Sequence, residues 1–295
     1  MAYHADHLTL SAPTETPAGR RAALFHEMPL ETVERWALGT AWAFKPPRHK
    51  ALPALARLWL SDLMAPDYAL PDPETDLHDG LAGIVHDLSV PTLIAASERG
   101  LYPFAHFGPL KWWSPAQRSL LSFDQFHMSK RLRSYLRSGR YRVTFDRDFD
   151  AVIKACAERR QGKLHLTWIT PRIMRAYSAM FDAGHAHSFE VCNEQGQLVG
   201  GGYGVTVGGV FITESQFSRD SNASKVGYTI LNWHLAHWGY AFNDNKRMTP
   251  AIREMGFRDV PRAEFLVRLA DALRLPGKPG RWQIEGDPAV IAAWR

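Results

Sequence analysis

The sequence predicts an α+β fold: an antiparallel or mixed sheet flanked by helices, with a mainly helical extension in front of it. Three observations lead there. Between 185 and 217, apolar and polar residues alternate with period two, and Gln195-Gly196 and Gly208-Gly209 interrupt the alternation as turns would. Helix-start signals flank that stretch, Thr170-Pro171 before it and Asn222 after it. The 295 residues are 45% hydrophobic, enough to fill one large core or two smaller ones, and no internal repeat is evident.

The elements follow in chain order. Residues 1–92 read as an accessory segment. Its first sixteen residues are polar, with His4, Asp6 and His7, and lack the basic start and apolar block of a secretory signal. Short helices are expected at 31–44 and 52–64, separated by the proline patches Lys45-Pro46-Pro47, Pro66-Asp67 and Pro71-Asp72-Pro73. No chemical motif lies there. The main domain is placed at 93–275, with a tail at 276–295. A basic helix is expected at 126–138, a short strand at 141–145, and a helix at 148–159 that starts on an acidic cap. Thr170 caps the next helix, with proline in its first turn and Gly184 as its stop. The strands 185–191, 198–207 and 210–217 form the meander. A helix then runs from the Asn222 cap to Gly239, followed by a strand at 240–243, a short helix at 249–255 and a last helix at 261–275. This order suits an acyltransferase of the GNAT type.

Bulk properties exclude several classes. No apolar run is long enough to span a bilayer, so neither an integral membrane protein nor a membrane partner is expected. Cys156 and Cys192 are too few for a disulfide scaffold, and no Cys-x-x-Cys announces zinc. They read as core fillers in a reducing cytoplasm. His185 and His187 share a strand face, but no third ligand is spaced to complete a metal site, so a hydrogen-bonding role is expected. No Walker, G-x-G-x-x-G, G-x-S-x-G or H-E-x-x-H string is present, and nothing asks for a metal, nucleotide or redox cofactor. The net charge of +5 attracts polyanions, RNA among them.

Several motifs carry chemistry, each with a bland counterpart. Trp112-Trp113-Ser114-Pro115, close after Tyr102-Pro103-Phe104, sits in a loop and could stack a nucleobase or plug that loop onto the core; composition favours neither. Trp168 precedes a helix N-terminus, where free N–H groups meet ligands, although packing alone would also explain it. Gln197-Leu198-Val199-Gly200-Gly201-Gly202 fits the pyrophosphate string of acyl-CoA-dependent GNAT enzymes. That string must open a helix, whereas here it enters a strand, and the loop 219–224 that does open one has no glycine. Glu214 stands among Val210, Phe211, Ile212 and Phe217, so its carboxylate is expected to be partly buried, able to receive an amino group or a ribose hydroxyl. Lys130, Arg133, Arg137 and Arg140 fall on one helix side with Arg131 beside them, either a phosphate footprint or a solvated basic face.

Together these strings resemble the leucyl/phenylalanyl-tRNA–protein transferase family. The likeness runs in order through Arg99-Gly100-Leu101-Tyr102-Pro103, Trp112-Trp113-Ser114-Pro115, His127-Met128-Ser129-Lys130, Tyr141-Arg142-Val143-Thr144 and Thr167-Trp168-Ile169-Thr170. It continues through Gly184-His185-Ala186-His187-Ser188, Leu198-Val199-Gly200-Gly201, Glu214-Ser215, Phe217-Ser218 and Asn222-Ala223-Ser224-Lys225. The resemblance implies a GNAT-related fold that uses aminoacyl-tRNA. It implies transfer of leucine or phenylalanine, with methionine as a third candidate, to the N-terminal α-amine of a protein or peptide destined for N-terminus-directed degradation. It implies that Phe104 and Trp168 sandwich the terminal adenine, and that Glu214 stands beside an apolar side-chain pocket. Trp112, Trp113, Ser114, Tyr203, Ser215, Phe217, Asn222 and Ser224 are expected around the same 3′ end, and Lys225 with the basic helix along the tRNA backbone. No cofactor is needed, since the ester is already activated and the enzyme positions an amine against it. A cytoplasmic monomer is expected.

One stretch departs from the family. An Asp-x-Gln pair is expected after the 222–239 helix, but the chain reads Phe242-Asn243-Asp244-Asn245-Lys246. Aligned from one side, Asp244 and Lys246 take the catalytic positions; aligned from the other, Asn243 and Asn245 do. Asp244 is the preferred carboxylate. Lys246 would put positive charge where a basic N-terminal residue docks. A different acceptor for the same donor, or a homologue that binds tRNA without transferring, are the alternatives.

Overall fold

A computed structural model describes residues 16–46, 48–159 and 164–294. The polar segment 1–15 and Pro47 therefore lie outside the described residues.

The chain begins with three helices, α1 (Pro17–Leu24), α2 (Pro29–Ala43) and α3 (Leu52–Met64). Then come β1 (Leu81–Ile84), α4 (Val90–Glu98), β2 (Tyr102–Phe104), β3 (Lys111–Trp113) and β4 (Gln117–Leu121). The next elements are α5 (Lys130–Arg137), β5 (Arg142–Phe145), α6 (Phe149–Ala157), α7 (Pro171–Asp182), β6 (Ala186–Cys192), β7 (Leu198–Val207) and β8 (Val210–Ser218). The last are α8 (Ala223–His237), β9 (Phe242–Asp244), α9 (Pro250–Glu254), β10 (Arg258–Pro261), α10 (Arg262–Ala272) and α11 (Pro288–Ala293).

The meander β6–β7–β8 is the centre of a larger sheet than the sequence suggests. Seven strands run in the order β10-β4-β9-β8-β7-β6-β5, all antiparallel except the β8–β9 pair. Helix α8 covers one face and α6 with α7 the other. Burial on both faces explains why every residue of β6 is buried despite its alternating sequence. The glycines of the 200–204 stretch serve this packing. A Cβ on Gly200 would come within 2.8 Å of the Ala223 Cβ, and one on Gly204 within 2.4 Å of the Ile212 carbonyl. They sit inside β7 and open no helix.

Several expectations are revised. The aromatic runs near 102 and 112 are not loop: β2 and β3 pair with β1 in a separate antiparallel sheet, order β1-β3-β2. The basic helix begins only at Lys130, capped by Ser129. Asn222 holds the N-cap position of α8 but not by a side-chain bond; it adopts left-handed backbone, φ 63°. Residues 276–294 are no loose tail. Trp282 is fully buried, stacked on His187 at 3.7 Å, and α11 packs on α5 and α8. His187 is structural, bonded to Asp146 at 2.7 Å.

Candidate active site

The sheet opens where β8 and β9 part. Their parallel pairing ends at Ile212 opposite Asp244, while β8 continues to Ser218. Just beyond, the register of β7 with β8 slips by one: Tyr203 faces Ser215, and Gly204 faces Thr213. Glu214 is the extra residue of that bulge, and bulges of this kind re-aim a side chain. Its carboxylate meets Lys246 Nζ at 2.7 Å, with the two side chains 3% and 10% exposed. Tyr177 and Tyr203 are buried beside it. Burial first, and the Glu214 charge second, hold both phenols well above their usual range, so each remains a neutral hydroxyl. The Tyr203 hydroxyl has no hydrogen-bond partner among the described residues.

The expected carboxylate, Asp244, is fully buried one strand away. Arg118 of β4 donates to it from Nε at 2.9 Å and from Nη2 at 2.7 Å, and donates from Nη1 to the Gly100 carbonyl at 2.8 Å. The Lys246 N–H adds a 2.7 Å bond to Oδ1. That last bond, from residue i+2 back to an aspartate, holds Lys246 at φ 65°, a left-handed conformation costly for a lysine. Asp244 thus reaches a substrate amine only by giving up Arg118; in this state it positions the turn that carries Lys246. Asn243 faces the other side of the sheet, accepting from Thr213 Oγ1 at 2.9 Å and donating to Asn232 at 2.8 Å. Asn245 is half-buried, and its side chain donates to the Arg247 carbonyl.

The aromatic mouth is assembled from separate elements. Phe104 ends β2 and Trp168 lies in the turn before α7, yet their ring centroids are 5.7 Å apart at 48°. Stacking a base between them requires nearly parallel rings about 7 Å apart, two van der Waals separations, so the pair must part by an ångström or more to admit one. Trp113 is half-exposed and donates from Nε1 to the Phe104 carbonyl at 2.9 Å. Trp112, its neighbour along the strand, points the opposite way into the core and cannot meet a substrate. Ser114 is likewise fully buried, with its carbonyl taken by Arg262, and Phe217 is a core side chain. Ser215 follows the bulge, half-buried; Ser224 donates from its N–H to Ser218 Oγ at 3.3 Å at the start of α8.

The basic helix is divided. Lys130, Arg131, Arg137 and Arg140 are exposed, but Arg133 is withdrawn: it donates to the Ala292 and Trp294 carbonyls and closes the C-terminus of α11. Lys225 pairs with Glu254 at 3.2 Å. No group of three His, Cys, Asp or Glu among the described residues has the geometry of a metal site. Sequence reasoning missed Arg118, Tyr177 and Tyr102, whose ring lies 5.2 Å from Lys246 Nζ. Arg118 stands between Gln117 and Ser119 in a mixed run that carries no local signal.

Residues 120–270 match the family described as leucyl/phenylalanyl-tRNA protein transferase. The leucyl/phenylalanyl-tRNA–protein transferase of Alkalilimnicola ehrlichii is 41% identical over 242 residues, 81% of this chain and 93% of that protein. That of Azotobacter vinelandii is 42% identical over 220 residues, covering 74% and 96% respectively. Among solved structures, FemX aligns over 50% of this chain and 60% of its own with a TM-score of 0.39 and 11% identity, too distant to build on.

Proposed function

The chain belongs to the leucyl/phenylalanyl-tRNA–protein transferase family, and from that premise we propose that it moves leucine or phenylalanine from aminoacyl-tRNA to the N-terminal α-amine of an acceptor protein. The observation that carries this reading is the meeting of Phe104 with Trp168, two residues from distant elements, at the spacing of rings that can part around a base. In this reading the sheet domain is a GNAT-type acyltransferase, monomeric and cytoplasmic, with 1–92 as its accessory segment, and the products go to N-terminus-directed degradation. The glycine string inside β7 argues against acyl-CoA as donor.

The chemistry is an ester-to-amide exchange. The neutral α-amine attacks the ester carbonyl, the bond to the ribose oxygen breaks, and the amine proton ends on that oxygen. Positioning and oxyanion support suffice for such a step. Lys246 stabilises the oxyanion, with Glu214 holding it. Asp244 is a positioning residue through Arg118 and the turn. The exposed Lys130, Arg131, Arg137 and Arg140 suit the tRNA backbone. A second reading keeps the donor and changes the acceptor. Lys246 favours it, since a cation already stands where a basic first residue would dock.

Incubation with labelled Leu-tRNA and Phe-tRNA and a peptide set varied at the first residue tests both. Transfer to Arg- or Lys-initiated peptides supports the first reading; transfer only to neutral or acidic ones supports the second. Tight tRNA binding with no transfer to any peptide overturns the first and leaves a non-peptide acceptor or a homologue that binds tRNA without transferring.

A further inference from the structure

A second cleft adjoins the aromatic mouth and is roofed by the N-terminal helices. It measures about 470 Å³, within the usual range of small-ligand pockets, about 300–1,000 Å³. Trp42 from α2 and Phe104 and Trp113 from the β2–β3 hairpin line it, with the His106 ring edge-on to Trp42 at 5.0 Å and to Phe104 at 4.7 Å, and Arg48, Lys50 and Arg247 stand among its lining residues.

Three features fix its chemistry. Its walls are aromatic where stacking would occur, and the rings are held: Arg48 lies over Trp42 at 4.1 Å, and Trp113 is tied to the Phe104 carbonyl. Arg48 and Lys50 pair with no carboxylate among the described residues, whereas Arg247 is bound to Asp79 at 3.0 Å. His106, on the cleft wall, is pushed by burial to a pKa of about 4, so it is neutral at physiological pH. Its Nδ1 is buried and lacks a hydrogen-bond partner among the described residues. An aromatic slot with unpaired cations and one unsatisfied polar nitrogen fits a nucleobase carrying a phosphate better than an aliphatic chain.

Phe104 belongs both to this cleft and to the pair with Trp168, so a strand whose last base lies at that pair continues into the cleft. We propose that the cleft binds the nucleotide preceding the terminal adenosine of the donor RNA. Its base takes the place of Arg48 on the face of Trp42, and Arg48, swung aside, meets the linking phosphate together with Lys50. This rests on the aminoacyl-tRNA reading above. It gives the N-terminal helices a role in donor recognition.

Titration of the intact protein with adenosine, adenosine 5′-monophosphate and cytidylyl-adenosine, followed by tryptophan fluorescence or calorimetry, tests it. Cytidylyl-adenosine should bind roughly tenfold or more tighter than the monophosphate, the gain of one stacked base. Trp42→Ala should remove that gain and leave binding of the monophosphate unchanged. The double variant Arg48→Ala/Lys50→Ala, at exposed positions, should weaken both phosphate-bearing ligands several-fold towards the affinity for adenosine. Equal binding of the monophosphate and cytidylyl-adenosine overturns the proposal, as does a Trp42→Ala loss shared equally by all three ligands. If none of the three binds, the donor reading falls with it. If cytidylyl-adenosine binds as expected and no peptide is aminoacylated, only the transfer reading falls.

Discussion

The Glu214 notch and the aromatic mouth are built on opposite principles. In the notch, four charged side chains are sequestered in two pairs, Asp244 with Arg118 and Glu214 with Lys246, all held by sheet strands or the turn that leaves one. In the mouth, Phe104, Trp113 and Trp168 are half-buried, come from three separate segments and carry no charge. Buried ion pairs are unforgiving when one partner is removed, whereas half-exposed rings can shift at little cost. The notch is thus rigid by construction, while the mouth is made of parts able to move apart.

The contrast breaks most visibly at Asp244. Asp244→Ala strands the Arg118 guanidinium in the core, and unfolding by urea should show a loss of about 3–5 kcal/mol. A loss below about 1 kcal/mol would mean that the notch is as adaptable as the mouth. Trp168→Ala should leave folding nearly intact and raise the donor KM by about five- to 150-fold, the worth of about 1–3 kcal/mol for one stacked base, with kcat much less affected. A fall in kcat alone would place Trp168 in the chemistry instead. Lys246→Gln sharpens the notch side: the ratio of kcat/KM for Arg-initiated over Asp-initiated peptides should rise roughly tenfold as a like charge leaves. An unchanged ratio would show that the acceptor side chain docks away from Lys246.

The smallest effect is one of pH. Burial chiefly, with Arg48 and Lys111 adding to it, lowers the His106 pKa from 6.5 to about 4. The unfolded chain binds this proton more readily, so the stability that depends on a neutral His106 is complete above about pH 6.5 and lost as pH falls towards 4. Melting temperatures measured across that window should decline less in His106→Gln than in the parent.

Much of the centre was legible beforehand. Strand β7 occupies the span its alternation marks, and Thr170 caps α7 by accepting from the Ile173 N–H as the Thr-Pro signal indicates. Local signals suffice there because turns and caps are encoded by neighbours in sequence. The strands β2, β3, β4 and β10 were not legible. They span three to five residues, and β10 finds its partner far along the chain, Arg258 opposite Leu120. Such short segments show no period. The site divides in the same way. Glu214, Trp168 and Lys246 carry residue types that draw the eye, but the bulge that re-aims Glu214 and the guanidinium that claims Asp244 arise only from tertiary pairing.

The C-terminal stretch has a meaning for synthesis as well as for packing. Trp282, Ile291 and Ala292 fill the same core cluster as Phe145 of β5 and Phe211 of β8. A ribosome delivers the chain from its N-terminus, so β5 through β8 exist as polypeptide well before the side chains that seal them. Until residues near 292 emerge, His187 and its neighbours remain open to solvent and to other chains. Closure of this core therefore waits until residues near 292 have been made, and a nonsense codon just before Trp282 would yield a sticky, unfinished sheet.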